Sequence, residues 1–151
     1  MSHEKIKSLV LQLPNLMDVE YIDQARSNDI WSIVNNSDNE ITIQYLQQKN
    51  EILVSINNDV QFDALSLDNC QLLLQFNFIY KDTGGAHFSI SPEDNSIHLQ
   101  LGHTADLSIV ELVKIIDSLT DLKYNWSRLL VENNEPLNKE ETKLPGSVIL
   151  C

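Results

Sequence analysis

Few side chains in this 151-residue chain have the types and spacing that chemistry requires. The histidines are the first candidates, and there are four of them: His3, His87, His98 and His103. His87 and His98 fall on predicted strands and His103 just beyond one. No cysteine or carboxylate near them has the spacing of a metal-ligand set. The pattern therefore predicts partly exposed histidines on strands, with no metal and no other cofactor.

Motifs for nucleophilic catalysis and phosphate binding are also missing from the sequence. Cys70 lies in an apolar helical stretch that disfavours a thiolate, and Cys151 is the last residue. Gly84-Gly85 lacks the lysine and the following helix of a phosphate loop, so we expect the pair to end a helix. The carboxylates form no isolated acid–base pair. We therefore predict that the protein is not an enzyme.

The charge balance limits the partners that the protein can bind. Ten basic and 22 acidic side chains give a formal net charge of −12. Such a surface repels nucleic acid and anionic membranes, although the charge could also serve solubility alone. No signal sequence and no apolar stretch long enough to cross a membrane is present, and two cysteines make no disulfide framework. We therefore expect a cytoplasmic protein.

Apolar periodicity predicts the elements of the first half of the chain. Apolar residues at helical spacing predict a first helix over residues 2–13. The stretch 15–29 follows no clean period and stays unassigned. Alternation then predicts strands over residues 30–34, 41–45 and 52–56, joined by short loops rich in Asn, Ser and Asp. The first of these strands has apolar residues at both odd and even positions. Because successive side chains point to opposite faces of a strand, we expect both of its faces to be covered.

Capping signals predict the elements of the second half of the chain. Ser66 is a plausible N-cap of a second helix that the two glycines close. Strands follow over residues 86–91 and 96–101, and Ser108 with Glu111 has the spacing of a capping box before the last helix. Residues 132–151 are polar and predict a mobile tail after a single domain over 1–131. The fold class is α+β, in the order α-β-β-β-α-β-β-α, with helices flanking a twisted antiparallel sheet.

The second helix carries two apolar stripes. One consists of Leu67, Cys70, Leu74 and Phe78, and the other of Leu72, Phe76 and Ile79 with Leu73 at its edge. One sheet can cover only one face of a helix, so the second face needs another apolar surface. We predict a homodimer about a two-fold axis, with Leu72, Leu73, Phe76 and Ile79 at the interface. The alternative is that the first helix or the tail covers this helix.

A family resemblance follows from the motifs around that helix. The leucine-rich helix runs to Asn77-Phe78, and Gly84-Gly85 follows before a strand, an acidic turn and another strand. A long last helix then carries Trp126 near its end. Over residues 2–131 the chain resembles the CesT-like class I type III secretion chaperones. Its tail is longer than many members of that family carry.

The resemblance implies a specific role in bacteria. Such proteins are cytoplasmic homodimers that bind the non-globular N-terminal segment of effectors, keep them secretion-competent and deliver them to the secretion ATPase. A segment of that kind can add a strand to a sheet edge while pockets take its apolar side chains. Candidate effector-binding residues are Leu9, Leu13, Trp31 and Ile33, with plain core positions as the alternative. The alternative function is a dimeric adaptor or regulator that binds a folded partner.

Overall fold

Local sequence signals set the element boundaries in this fold, which is taken from a computed structural model of the chain. The structure describes residues 2–24, 29–79 and 84–134, without the side chains of residue 2 and residues 131–134. The helices are α1 (Ser2–Gln12), α2 (Leu67–Phe78) and α3 (Ile109–Asn134), with 3-10 turns at Leu13–Asn15 and Phe62–Ala64. The strands are β1 (Val19–Gln24), β2 (Ile30–Asn35), β3 (Glu40–Leu46), β4 (Glu51–Gln61), β5 (His87–Ile90) and β6 (Ser96–Thr104).

The six strands form one antiparallel sheet in the order β1-β2-β3-β4-β6-β5. The predicted α+β class with an antiparallel sheet and three helices is confirmed. The difference from the predicted order is β1, which lies in the unassigned stretch. Its pairing with β2 shifts register between Val19 and Tyr21. The apolar residues of β1 therefore do not keep a regular two-residue alternation. The bulge and the position at the sheet edge hide the two-residue period that would identify a strand.

One face of the sheet carries the helices and the core. Alternating residues of β3 and β4 are buried on this face, including Ile43 and Val54, and they join one cluster with Leu99 of β6. β2 differs from the prediction that both its faces are covered. Trp31 and Ile33 are buried beneath the helices, whereas the alternate residues of that strand are only half-buried. The helix-free face therefore remains the more polar side of the sheet.

The long helix α3 packs across β4 and β6. Its start confirms the predicted capping box, because the Ser108 N–H donates to Glu111 Oε2 at 3.0 Å and the Glu111 N–H donates to Ser108 Oγ at 3.1 Å. Leu112, Ile116 and Leu119 are buried at helical spacing against the sheet. The helix continues to Asn134, three residues beyond the domain end expected from periodicity.

The start of α2 agrees with the sequence signals and its end does not. Ser66 is the N-cap, with its hydroxyl accepting from the Asn69 N–H at 3.1 Å. The helix ends at Phe78, well before the two glycines. Gly84 and Gly85 have φ of 71° and 93° in the turn that leads into β5. They therefore supply left-handed backbone to that turn instead of closing the helix.

Candidate functional site

Asn77 fastens α2 to the outer edge of the sheet. Its Oδ1 accepts from the Phe88 N–H at 2.7 Å, and its Nδ2 donates to the Phe88 carbonyl oxygen at 3.1 Å. These two bonds satisfy the main-chain groups of Phe88 that a further strand beside β5 would otherwise use. The asparagine of the Asn-Phe pair therefore covers this edge of the sheet.

An aromatic cluster fixes the rotation of α2 about its axis. The rings of Phe76, Phe88 and Trp126 contact one another edge to face, with centroids 5.1 to 5.4 Å apart. Such pairs add to the stability that burial alone provides. Contact with Trp126 of α3 therefore keeps Phe76 in the core. The stripe on the opposite side of α2 faces outwards as a result.

The outward stripe of α2 is an exposed apolar surface, which we call the α2 face and define as Leu67, Cys70, Leu74 and Phe78. The exposed fractions of Leu67, Leu74 and Phe78 are 74%, 60% and 87%. An apolar groove of about 430 Å³ opens beside these side chains. It is lined further by Phe62, Leu65, Phe88, Ile90 and Ile97. Exposed apolar patches are typical of surfaces that contact other proteins, membranes or ligands.

The predicted interface residues of α2 differ in their exposure. Leu73 and Phe76 belong to the core of the domain and have little accessible surface. Leu72 is half-buried, and Ile79 is exposed at the end of the helix. The periodicity identified both stripes, but it could not tell which one faces the sheet because both are apolar. Of the predicted interface residues, Ile79 offers the most surface, and the α2 face supplies the rest of the exposed apolar area.

The candidate effector-binding residues also lie in the core. Leu9, Leu13, Trp31 and Ile33 are all buried within the domain and belong to one core cluster. The ring of His3 further covers Trp31, with centroids 5.4 Å apart. A side chain without accessible surface cannot anchor a partner unless the fold opens. The alternative interpretation, that these four residues are core positions, accounts for their placement.

The edge strand β1 is a surface that the sequence did not reveal. Among the described residues, β1 pairs only with β2, so its outer edge adjoins no other strand. Tyr21 on this strand is 55% exposed, and Leu16 just before it is exposed as well. An open edge flanked by apolar side chains can accept a further strand. The only signal in the sequence was a set of apolar residues without a regular period.

The histidines each contact a neighbouring group and not one another. His3 Nδ1 lies 2.9 Å from Asp29 Oδ1, and His98 Nε2 lies 2.8 Å from Ser96 Oγ. His87 and His103 contact main-chain carbonyl oxygens. Within residues 2–24, 29–79 and 84–134, no group of three or more His, Cys, Asp or Glu side chains could hold a metal ion.

Two carboxylates on the surface have perturbed pKa values. The Ser96 hydroxyl and N–H donate to Asp94 and hold the pKa of that carboxyl below its ordinary value. The Lys5 ammonium donates to Asp106 at 2.9 Å and likewise lowers the pKa of Asp106. The first contact closes the turn between β5 and β6, and the second ties α1 to the segment before α3. Both carboxylates stabilise local structure.

Comparison with known proteins identifies the fold. A chain in the crystal structure of the ExsC–ExsE complex superimposes with a TM-score of 0.68 at 18% sequence identity, over 85% of this chain and 95% of that chain. A chain in the structure of the HopA1–SchA chaperone–effector complex gives a TM-score of 0.64 at 13% identity, over 85% and 97% of the two chains. The fold expected from the resemblance to the CesT-like class I type III secretion chaperones is confirmed.

The same fold also occurs in an uncharacterized protein from Methanothermobacter thermautotrophicus. That crystal structure matches with a TM-score of 0.58 at 18% identity, over 87% of this chain and 98% of that chain. No family model and no curated protein matches this chain. No helix in the described part of the chain combines the length and apolar content needed to cross a membrane.

Proposed function

We propose that this protein is a cytoplasmic, homodimeric chaperone of bacterial type III secretion, which binds the non-globular N-terminal segment of an effector and keeps it secretion-competent. The observation that carries the proposal is the likeness to chains of the ExsC–ExsE and HopA1–SchA complexes over 95% and 97% of those chains. The Asn-Phe and Gly-Gly motifs of the sequence support the same class. Delivery of the effector to the secretion ATPase completes the proposed role, and the protein itself performs no reaction.

The α2 face supports the homodimer. A two-fold axis beside α2 would bring the same apolar stripe of each protomer together, so that Phe78 and Leu74 of one copy cover those of its partner. The removal of three large, mostly exposed apolar side chains per protomer from water favours association by several kcal/mol. The groove beside the face can receive a side chain from the second copy. No change of fold is needed for this contact.

The edge of β1 supports the effector site. At the other end of the sheet, Asn77 already occupies the main-chain groups of Phe88, which disfavours strand addition there. An extended effector segment beside β1 would gain main-chain hydrogen bonds and place alternate apolar side chains near Tyr21 and Leu16. Ordering such a segment costs entropy, so several apolar contacts must offset it. Trp31 and Ile33 lie on β2, the strand that pairs with β1, and their side chains are buried in the core.

A dimeric adaptor that binds a folded partner is the second candidate. The observation that favours it is that the same fold occurs in the uncharacterized protein from Methanothermobacter thermautotrophicus. The adaptor shares the dimer through α2 with the chaperone. It differs in that it recognises a folded surface and has no affinity for an unfolded segment.

Calorimetry separates the two functions. N-terminal fragments of candidate effectors encoded near this gene are titrated into the dimer, alongside the folded domains of the same effectors. The chaperone function predicts a Kd at or below about 1 μM for one of the fragments. It predicts no binding to the folded domain, and only a modest effect of salt because apolar contacts dominate. Binding that requires the folded domain favours the adaptor instead.

A matched pair of variants locates the site in the same experiment. Tyr21→Asp places a charge on the open edge of β1 and should weaken fragment binding at least about tenfold, as loss of an apolar anchor does. Val110→Asp changes a side chain of similar exposure on α3 and should bind like the wild type. If both variants keep the wild-type affinity, the segment does not bind along β1.

A further inference from the structure

The pairing of β1 with β2 fixes the face of the sheet on which each β1 side chain lies. Ile22 lies opposite Ile33, which is buried beneath the helices, so Ile22 belongs to the face that carries the helices. Because successive side chains of a strand point to opposite faces, Tyr21 and Asp23 lie on the helix-free face. A strand added beside β1 would therefore contact different side chains on its two faces.

On the helix side, the edge is apolar and only partly covered. Val19 and Ile22 are half-buried and pack against the core cluster, as does Met17 just before the strand. Val19 lies opposite Asn35, two residues from Ile33, so Val19 and Ile22 share this face in spite of the bulge between them. An added segment can remove their remaining surface from water with apolar side chains at alternate positions.

The same edge is acidic. Glu20 and Asp23 are exposed on β1, and the exposed Asp18 directly precedes the strand. None of these three carboxylates makes an ion pair with a residue that the structure describes. The strands β1, β2 and β3 contain no Lys or Arg, and the charged residue that they add is another acid, Glu40. The electrostatic potential along the edge is therefore negative.

These charges disfavour pairing between the β1 edges of two copies. Two acidic strands side by side bring like charges together, which destabilises a sheet, and charged side chains on edge strands commonly prevent such association. A segment that carries basic side chains gains attraction at the positions where a second copy would meet repulsion. The charge of the edge therefore distinguishes a basic segment from a second copy of this chain.

We propose that the edge of β1 selects an extended segment that is apolar on the helix side and carries Lys or Arg on the helix-free side. Such selection rests on the strand addition proposed above and names the class of segment that β1 accepts. A basic side chain on the helix-free face can pair with Asp23, and its aliphatic stem can lie along the exposed ring of Tyr21. Because exposed ion pairs each contribute little, the preference is several-fold and the apolar contacts supply most of the affinity.

Nuclear magnetic resonance on the full, isotope-labelled chain tests this selection. The probes are capped peptides of about nine residues, the length of an ordinary strand, in which valine alternates with lysine, glutamine or glutamate. We expect saturable shifts of the β1 amides, with the lysine peptide binding about fivefold more tightly than the glutamine peptide and the glutamate peptide binding most weakly. Equal binding of the lysine and glutamine peptides at β1 overturns the selection but leaves strand addition standing. Absence of β1 shifts with all three peptides overturns both.

A matched pair of double variants separates the charge of the edge from the net charge of the molecule. Glu20→Lys with Asp23→Lys should abolish the preference for the lysine peptide over the glutamine peptide. Asp117→Lys with Asp121→Lys makes the same change of net charge at exposed positions of α3 and should keep that preference. If both pairs lose the preference, or if both keep it, the proposal is wrong. Glu20→Gln with Asp23→Asn removes the carboxylates without adding cations, and it decides the matter if the reversed edge does not fold.

Discussion

At the scale of single residues, the adjacent Asn77 and Phe78 have different structural roles. Asn77 binds the main chain of Phe88 and completes the edge of the sheet, whereas Phe78 projects outwards with 87% of its surface exposed. The bonds made by Asn77 fix α2 on the sheet, and this placement leaves Phe78 on the exposed α2 face. The sequence motif alone could not assign these roles, since the partner of Asn77 lies on another element.

Replacing Asn77 tests the first of these roles. Asn77→Ala leaves the Phe88 N–H and carbonyl without their partner and should lower the free energy of unfolding by about 1–3 kcal/mol. Urea denaturation measures this change. Gln75→Ala, at an exposed position of the same helix, is the control and should change stability little. Equal effects of the two substitutions would mean that the bonds to Phe88 contribute nothing specific.

The burial of the predicted anchors leads to a second prediction at this scale. Ile33→Ala removes a fully buried side chain and should cost about 2–5 kcal/mol of unfolding free energy. Val110→Ala, at an exposed position, should cost far less. The measurement is again denaturation by urea. A stable Ile33→Ala variant with impaired effector binding would restore Ile33 as a binding residue.

At the scale of elements, periodicity predicted α1, α3 and most strands because each has one apolar face and one polar face. It failed at β1, where a bulge interrupts the alternation, and at the orientation of α2, where both faces are apolar. Only contacts between distant residues, such as those among Phe76, Phe88 and Trp126, decide which side of α2 faces inwards. Those contacts have no local signature in the sequence.

The orientation of α2 predicts different outcomes for two aspartate substitutions. Phe78→Asp places a charge in the proposed dimer interface and should give a folded monomer by analytical ultracentrifugation. Phe76→Asp places the charge inside the aromatic cluster and should unfold the protomer, which circular dichroism detects. A folded dimer of the Phe78→Asp variant would remove the α2 face from the interface.

At the scale of the whole molecule, composition and element order were enough to predict the α+β class, whereas the candidate binding surfaces became apparent only in the structure. The pocket between α3 and the end of β4 is the extreme case. Asn58, Lys123 and Ser127 are ordinary polar residues in the sequence, and their convergence depends on the bulge in β4 and on the packing of α3. Charge and hydropathy could exclude classes of partner, but they could not locate a site.

The extent of the folded domain gives a further prediction. Residues 135–151 lie outside the described structure, and the predicted tail begins at residue 132, within the last turn of α3. Truncation after Asn134 should leave the melting temperature within about 2 °C of the full chain, since the buried Leu130 and the elements before it are retained. A large decrease would mean that Val148, Ile149 and Leu150 contact the domain.

Hydrogen exchange on a complex with a bound effector fragment tests the central claim most directly. The protein is compared with and without the fragment that binds best in calorimetry. We predict that the amides of β1 gain protection on binding, because the fragment pairs with this edge, while the amides of β5 change little. The fragment itself should gain protection along an extended stretch and nowhere else. Protection confined to β5 or α2, or a fragment that folds into a globular domain when bound, would contradict the account.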